Sequence, residues 1–384
     1  LNLDYFHAPL KKVNPGIKNY TMKKLLLTLT VSALGFMSYA QDDLTPEEIA
    51  YRDSIAALNQ SNAAIVASQN AYNAGIELFK SGNYSGAIAK FAESISSDPN
   101  FTPAYYNKGV AENKAEKYDD AIKTFDKLIT LKPAYAKAYF QRGRAYQGQN
   151  NYLKAEQDYL KSIELDPKNP KAYYNFGTLK FLQQDYTAAI VQFTKVIELD
   201  PNDAYAYNDR GSCYRMMEKY PEAVKDYEEA ARKNPNLAFV LNNIGTTRLK
   251  MKMYEDATKA FNRALSVDAN FFLAYNNRGV TNLALNRIDD AVSDFTKCIE
   301  INSNYAPAYS NRSGAYFQLK QYDKAKADAD KAIQLDPKYA DAYINRGNAR
   351  EMLRDMEGAC EDWHKARELG SEIGKYYHSQ NCSN

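Results

Sequence analysis

Glycine recurs every 34 residues along this chain. The series is Gly75, Gly109, Gly143, Gly177, Gly211, Gly245 and Gly279, then Ser313 in the same phase, then Gly347. Twelve residues after each of these stands an alanine: Ala87, Ala121, Ala155, Ala189, Ala223, Ala257, Ala291, Ala325 and Ala359. No insertion breaks the phase, so residues 68–373 hold nine units of 34: 68–101, 102–135, 136–169, 170–203, 204–237, 238–271, 272–305, 306–339 and 340–373. A fixed period of this length marks a stacked array, in which each unit buries its apolar face against its neighbours.

Each unit reads as two helices. In 102–135, helix A covers roughly Thr102–Ala115, Glu116-Lys117 turns the chain, and helix B covers roughly Asp119–Leu131. Pro133 then stops helix B, because it lacks an N–H and bars its predecessor from the helical region. Pro99, Pro167, Pro201, Pro235 and Pro337 repeat the stop, while Ala269, Ser303 and Ser371 take its place elsewhere. Numbering each unit from 1, the glycine lies at position 8 on helix A and the alanine at position 20 on helix B. Small residues there let two helix backbones cross closely. Aromatics fill the wedge: Tyr105, Tyr139, Tyr173, Tyr207, Tyr275, Tyr309 and Tyr343 at position 4, and Phe91, Phe125, Tyr159, Phe193, Tyr227, Phe261, Phe295 and Trp363 at position 24. Much of the tyrosine excess, 32 residues, is therefore core. Ser313 and Ala329 depart from the pattern.

A 34-residue helix–turn–helix with Gly at 8, Ala at 20, an aromatic at 24 and Pro at 32 resembles the tetratricopeptide repeat. The resemblance covers 68–373. It implies an all-α, right-handed superhelical solenoid of nine helix–turn–helix repeats, with helical caps. Thr45, Pro46 and Glu48 form a capping box with a helix start, so residues 41–67 are expected to be an N-terminal capping helix and 374–384 a C-terminal one.

In proteins similar to this, positions 2, 5, 6, 9, 12 and 13 face a concave groove that takes protein or peptide partners. Position 6 runs Asn73, Asn107, Gln141, Asn175, Asp209, Asn243, Asn277, Asn311 and Asn345. Carboxamides both donate and accept hydrogen bonds, so such a ladder suits the backbone of an extended peptide. The series resembles the asparagine ladder in the superhelical array of O-linked N-acetylglucosamine transferase. The other reading is that Asn at position 6 is repeat consensus whatever is bound. Position 5 is aromatic at Tyr72, Tyr106, Phe140 and Tyr174, then polar at Asn208, Asn242, Asn276 and Ser310, with Ile344 last. This suggests an apolar anchor in the first half of the groove and an extended polar stretch in the second; alternatively, the tyrosines close gaps between A helices. Replacing Asn243, Asn277 and Asn311 by Ala is expected to leave melting nearly intact and to weaken partner capture. Arg142, Arg210, Arg278, Arg312 and Arg346 recur at position 7, with stems expected between helices and guanidinium groups at the rim. No position-5 residue is basic, which rejects a carboxylate-clamp mode for a peptide C-terminus.

Other segments speak to location. From Met22, Lys23-Lys24 give a positive start, Leu25 to Met37 an apolar core and Ser38-Tyr39-Ala40 a small-residue cleavage pattern. Residues 22–40 are expected to be a secretory signal peptide cut after Ala40, with 1–21 an upstream extension from a start site set too early. The core is too short to span a bilayer, so no integral membrane span is expected after cleavage, and the location is periplasmic or secreted. Residues 1–40 hold five lysines and one acid; the remainder holds 44 basic and 46 acidic residues, a net of −2, which argues against nucleic acid as a partner.

With three histidines, no Gly-rich phosphate loop and no nucleophile or zinc-protease motif, the chain is expected to be no enzyme and to need no cofactor. The function read here is an exported scaffold or adaptor for extended peptide segments. The alternatives are an accessory subunit of an envelope glycan-related enzyme, or a metal-binding protein using the C-terminal Cys/His cluster. That cluster is Cys360, His364, His378 and Cys382. Three readings stand: a Cys360–Cys382 disulfide, two free thiols, or a zinc site made by all four residues. Cys213 and Cys298 occupy small buried positions.

Overall fold

The computed structural model describes residues 46–382. The expected signal peptide 22–40, the expected upstream extension 1–21, the expected Thr45 cap and Ser383-Asn384 lie outside the described residues. Among the described residues are nineteen helices and no strand. The chain divides into two compact units between Ala67 and Ser68, and the second is an all-helical tandem of helix pairs.

Within that unit, the A helices have 13 residues, as in Thr102–Lys114, and the B helices mostly 14, as in Tyr118–Leu131. Each A helix packs on its own B helix, and each B helix on the next A helix. Several A helices also touch the A helix of the next repeat, as Ala306–Gln318 does with Ala340–Met352. No B helix packs comparably on the next B helix, so the A helices form the tighter, inner layer.

The position-24 aromatics head the core. Trp363, Tyr159, Tyr227, Phe91, Phe125, Phe193, Phe261 and Phe295 are the eight largest fully buried side chains, and all nine position-20 alanines are completely buried. The position-8 glycine makes room for the aromatic of its own repeat. A Cβ on Gly109 would sit 2.5 Å from Phe125, and one on Gly347 2.6 Å from Trp363. The eighth repeat departs at both places together. Ser313 replaces the glycine, Ala329 replaces the aromatic, and Ser313 Oγ fills the space by donating to the Ala325 carbonyl at 2.6 Å.

The A–B turn carries a feature the sequence does not announce. Position 15 is left-handed in every repeat with a full turn: Glu116, Asn150, Gln184, Glu218, Lys252, Asn286, Lys320 and Arg354 have φ of 58–66°, and only Gly82 is glycine there. The turn closes as a Schellman motif, with Lys117 N–H donating to the Glu112 carbonyl at 2.9 Å. An Asx turn follows helix B with or without proline at position 32: Asp200 Oδ1 accepts from Asn202 N–H at 3.0 Å beside Pro201, and Asp268 Oδ1 accepts from Asn270 N–H at 2.9 Å and Asn302 Oδ1 from Asn304 N–H at 3.1 Å where proline is missing. In the last repeat Gly370 turns with φ 87°.

The helix expected within residues 41–67 is the first part of Pro46–Lys80, a helix of 35 residues whose last part is the A helix of the first repeat. Ile55, Leu58, Ile65 and Val66 on it are exposed. At the other end Glu372–Asn381 packs: Tyr377 stacks on Trp363 with centroids 5.5 Å apart, and Gly374 sits against Ala366. Among the described residues, no helix is long and apolar enough to cross a membrane.

Candidate functional site

The A helices expose a stripe at positions 2, 6, 9 and 13, which share one helix face by their spacing. Near the C-terminal end it opens into a recess of about 270 Å³ lined by Asn311 and Asn345 at position 6, Gly314 at 9, Gln318 at 13 and Asp341 at 2, with Ser310, Ile344, Leu283 and Ile373 at its edges.

Position 6 does more than line this face. Seven of the nine ladder side chains pair with position 5 of the preceding repeat, 35 residues back. Asn107 Nδ2 donates to Tyr72 Oη at 2.7 Å, and Gln141 Nε2 to Tyr106 Oη at 3.4 Å. Asn243, Asn277 and Asn311 donate to Asn208, Asn242 and Asn276 Oδ1, each at 3.0 Å. Asn345 donates to Ser310 Oγ at 3.0 Å. Tyr174 Oη donates to Asp209 Oδ2. Burial, with Asp203 adding its charge, raises the Asp209 carboxyl above the ordinary range, against the hydrogen bonds from Tyr174 and Asn208. The position-5 residue 35 before Asn175 is Phe140, which offers no acceptor, and Asn175 donates to the Lys171 carbonyl. Asn73, in the first repeat, is exposed.

Position 5 is thus the buried half of an inter-repeat pair. Phe140, Asn208, Asn242 and Asn276 are buried, and Tyr72, Tyr106 and Tyr174 are half-buried against core rings: Tyr72 lies 5.1 Å from Phe101, Tyr106 5.7 Å from Tyr135 and Tyr174 5.6 Å from Phe193. The gap-closing reading of these rings describes their surroundings. Asn243, Asn277 and Asn311 each tie two repeats together, so their replacement by Ala is now expected to lower melting rather than to leave it nearly intact. Each still has a second N–H and unused carbonyl lone pairs.

The aromatics that do reach the groove surface are at position 2. Tyr205 and Phe239 are 51% and 36% exposed and stack with centroids 6.2 Å apart and planes 25° from parallel. Position 2 was among the groove positions expected from sequence, but these two residues were not singled out.

The position-7 arginines are not at the rim. Arg142, Arg210, Arg278, Arg312 and Arg346 grip position 23 of their own B helix with Nε and Nη2: Asp158, Asp226, Asp294, Asp328 and Asp362, at 2.5–2.9 Å. Nη1 reaches position 25 of the preceding repeat, as from Arg278 to Asn262 Oδ1 at 2.6 Å, and the guanidinium of Arg278 lies 5.4 Å from the Tyr275 ring. These are structural clamps between three helices.

Models of the tetratricopeptide repeat match residues 72–138, 136–169, 158–191, 204–237, 240–271 and 273–305, and a TPR repeat model matches 177–217 and 314–353. The chain is a tetratricopeptide-repeat protein. Its fold is similar to that of a tetratricopeptide repeat protein from Parabacteroides merdae, with 20% identity, 65% of this chain and 99% of that one covered, and a TM-score of 0.53. It is similar also to the C-terminal part of a TPR repeat-containing protein from Cytophaga hutchinsonii, with 20% identity, 62% and 98% covered, and a TM-score of 0.54. YrrB, described as a TPR protein with an unusual peptide-binding site, is 27% identical over 48% of this chain and 95% of its own, with a TM-score of 0.41. No curated protein matches the sequence. Tetratricopeptide-repeat arrays are generally non-enzymatic scaffolds that bind protein or peptide partners.

In this tetratricopeptide-repeat protein the C-terminal cluster is brought together across the last helix pair. Cys360 and Cys382 form a disulfide with Sγ atoms 1.99 Å apart, and the His364 and His378 rings lie 5.1 Å apart. The bonded sulfurs are unavailable as thiolate ligands, which corrects the four-residue zinc alternative. His364 Nε2 lies 3.3 Å from Glu368 Oε1, and desolvation, then the charges of Arg367 and His364, lower the pKa of His378. Among the described residues no group of three or more His, Cys, Asp or Glu is placed to hold a metal ion. Cys213 and Cys298 are fully buried free thiols, each pushed up to about 12 chiefly by burial.

Proposed function

We propose that the chain is an exported scaffold that holds an extended segment of a partner protein along the inner face of its A helices. The observation that carries this is the recess lined by Asn311, Gly314, Gln318, Asp341 and Asn345, where groove positions of adjacent repeats converge on open space. The contact surface in this reading is positions 2, 9 and 13 with the outer half of the position-6 amides, while position 5 braces the ladder from behind. A photo-cross-linking residue placed at Thr246, Val280 or Gln318 is expected to capture the partner, and one placed at exposed Lys259 or Lys297 on the B helices is not. Equal capture from both faces would sink the groove.

Export rests on the leader-like segment 22–40 and is compatible with the Cys360–Cys382 disulfide, which persists in oxidising compartments. N-terminal sequencing of the mature protein should begin at Gln41. A mature start upstream of Gln41 would refute cleavage after Ala40. Two free thiols in denaturant are expected, and four would refute the bridge.

A further inference from the structure

The charge of the inner stripe does not follow that of the chain. Residues 41–384 carry 44 basic and 46 acidic side chains, yet in repeats two to four the positions facing the groove hold Lys114, Lys137, Arg144 and Lys171 and no acid. Lys114, Arg144 and Lys171 are exposed, and Arg144 donates to the neutral Gln141 at 3.2 Å. The next two repeats present the stacked, exposed Tyr205 and Phe239, with one acid and one base at these positions, Asp209, which is tied to Tyr174 and Asn208, and exposed Lys250. In repeats seven to nine, positions 2, 6, 9 and 13 hold no base at all and one acid, Asp341. The groove therefore runs from a positive stretch, across an aromatic step, to a faintly negative end.

We infer that the occupant is an acidic extended segment followed by an aromatic or large aliphatic residue. This rests on the groove reading above and names its chemistry. Carboxylates would lie over Lys114, Lys137, Arg144 and Lys171. The apolar side chain would sit on the Tyr205–Phe239 stack, where it covers ring surface now exposed. Asp341 disfavours the reverse register by repelling the acidic stretch. Basic or neutral segments lack this match, so the same charges that admit one class exclude another.

The test uses the mature chain and three fluorescein-labelled 20-residue peptides, read by anisotropy. The first carries Asp and Glu among Ser and Gly, then Phe-Leu. The second replaces every acid by Lys, and the third replaces Phe-Leu by Ser. The first should bind, the second should not, and the third should bind at least about fivefold more weakly. Raising salt from about 0.05 to 0.5 M should weaken the first at least about tenfold. Lys114→Glu with Arg144→Glu and Lys171→Glu should abolish binding of the first peptide. The Gln versions of the same three changes should weaken it with melting unchanged. Tyr205→Ala with Phe239→Ala should reduce the first peptide to the level of the third. No binding of the first peptide up to about 1 mM, equal binding of acidic and basic peptides, or indifference to the charge variants overturns the inference. Groove-restricted photo-cross-linking that persists in any of these cases leaves the groove reading standing. Loss of that restriction removes both. A rival occupant, a second copy of this chain, would show as concentration-dependent self-association displaced by the first peptide, and that too overturns the inference.

Discussion

Repeat six places Ile244 and Ala260 where repeat seven places Arg278 and Asp294. The helices around them are alike: Ala238–Lys250 with Tyr254–Val267, and Phe272–Ala284 with Ile288–Ile301. Ile244 and Ala260 are buried apolar neighbours in one core cluster. Arg278 and Asp294 form a bidentate pair at 2.5 and 2.9 Å, joined by Asn282 and Asn262. The two positions change together. Arg at 7 always meets Asp at 23, and repeats with Ala74, Lys108, Phe176 or Ile244 at 7 have Lys90, Thr124, Gln192 or Ala260 at 23. The lesson is that Arg at 7 and Asp at 23 occur together or not at all. A half-pair would leave a charge in a site with little water.

Breaking the pair is the largest way to separate the two repeats. Asp294→Ala alone should cost about 3–5 kcal/mol, because the Arg278 guanidinium loses its partner, whereas Arg278→Ile with Asp294→Ala should lie within about 1 kcal/mol of the parent. Thermal or urea melting of the three proteins checks this, and an Asp294→Ala penalty no larger than that of the double variant refutes the clamp.

What the two repeats share should respond alike. Gly245→Ala and Gly279→Ala each bring a Cβ into a ring, 2.5 Å from Phe261 and 2.6 Å from Phe295, and should each cost about 1–3 kcal/mol. The eighth repeat sharpens this. Ala329→Phe alone should clash with Ser313, while Ser313→Gly with Ala329→Phe should be more stable than the two single changes predict by about 0.5–3 kcal/mol. Additive melting effects would show that the two departures are unrelated.

Smaller effects follow at the ladder and the turns. Asn277→Ala removes the bond to Asn242 and should cost about 1 kcal/mol, read as earlier hydrogen exchange at the boundary of repeats six and seven. Lys252→Gly should stabilise by about 0.5–1 kcal/mol, because a side chain leaves a left-handed position at φ 60°. Asn286→Gly, at φ 61°, should gain less, since asparagine tolerates that conformation. Equal gains at both sites would place the strain elsewhere.

The repeat, its two helices and its core were legible because Gly, Ala and the aromatics keep a 34-residue phase with no slip. The left-handed turn was not, because Glu, Gln, Lys and Arg fill a conformation usually advertised by Gly. The ladder was visible as a column of amides, but its partners were not. Phase within a repeat says which face a residue occupies, whereas the bond runs 35 residues back, one step out of phase. The Arg–Asp clamp was written in the sequence as a pair of positions 16 apart that vary together. It was missed because the arginines were read alone. The aromatic rings that reach the groove were obscured by the stronger aromatic run at position 5, which the next helix covers.

The disulfide makes the two ends of the array mechanically unequal. A force applied between the termini can peel the N-terminal helix pairs away one after another, since each contacts only its neighbours. The last pair is bridged from Cys360 to Cys382, and the chain between those residues is withheld from extension. Pulled in oxidising buffer, the molecule should come up short by roughly 70 Å of contour length against the reduced protein. The covalent end is then an anchor that survives after the rest has unspooled.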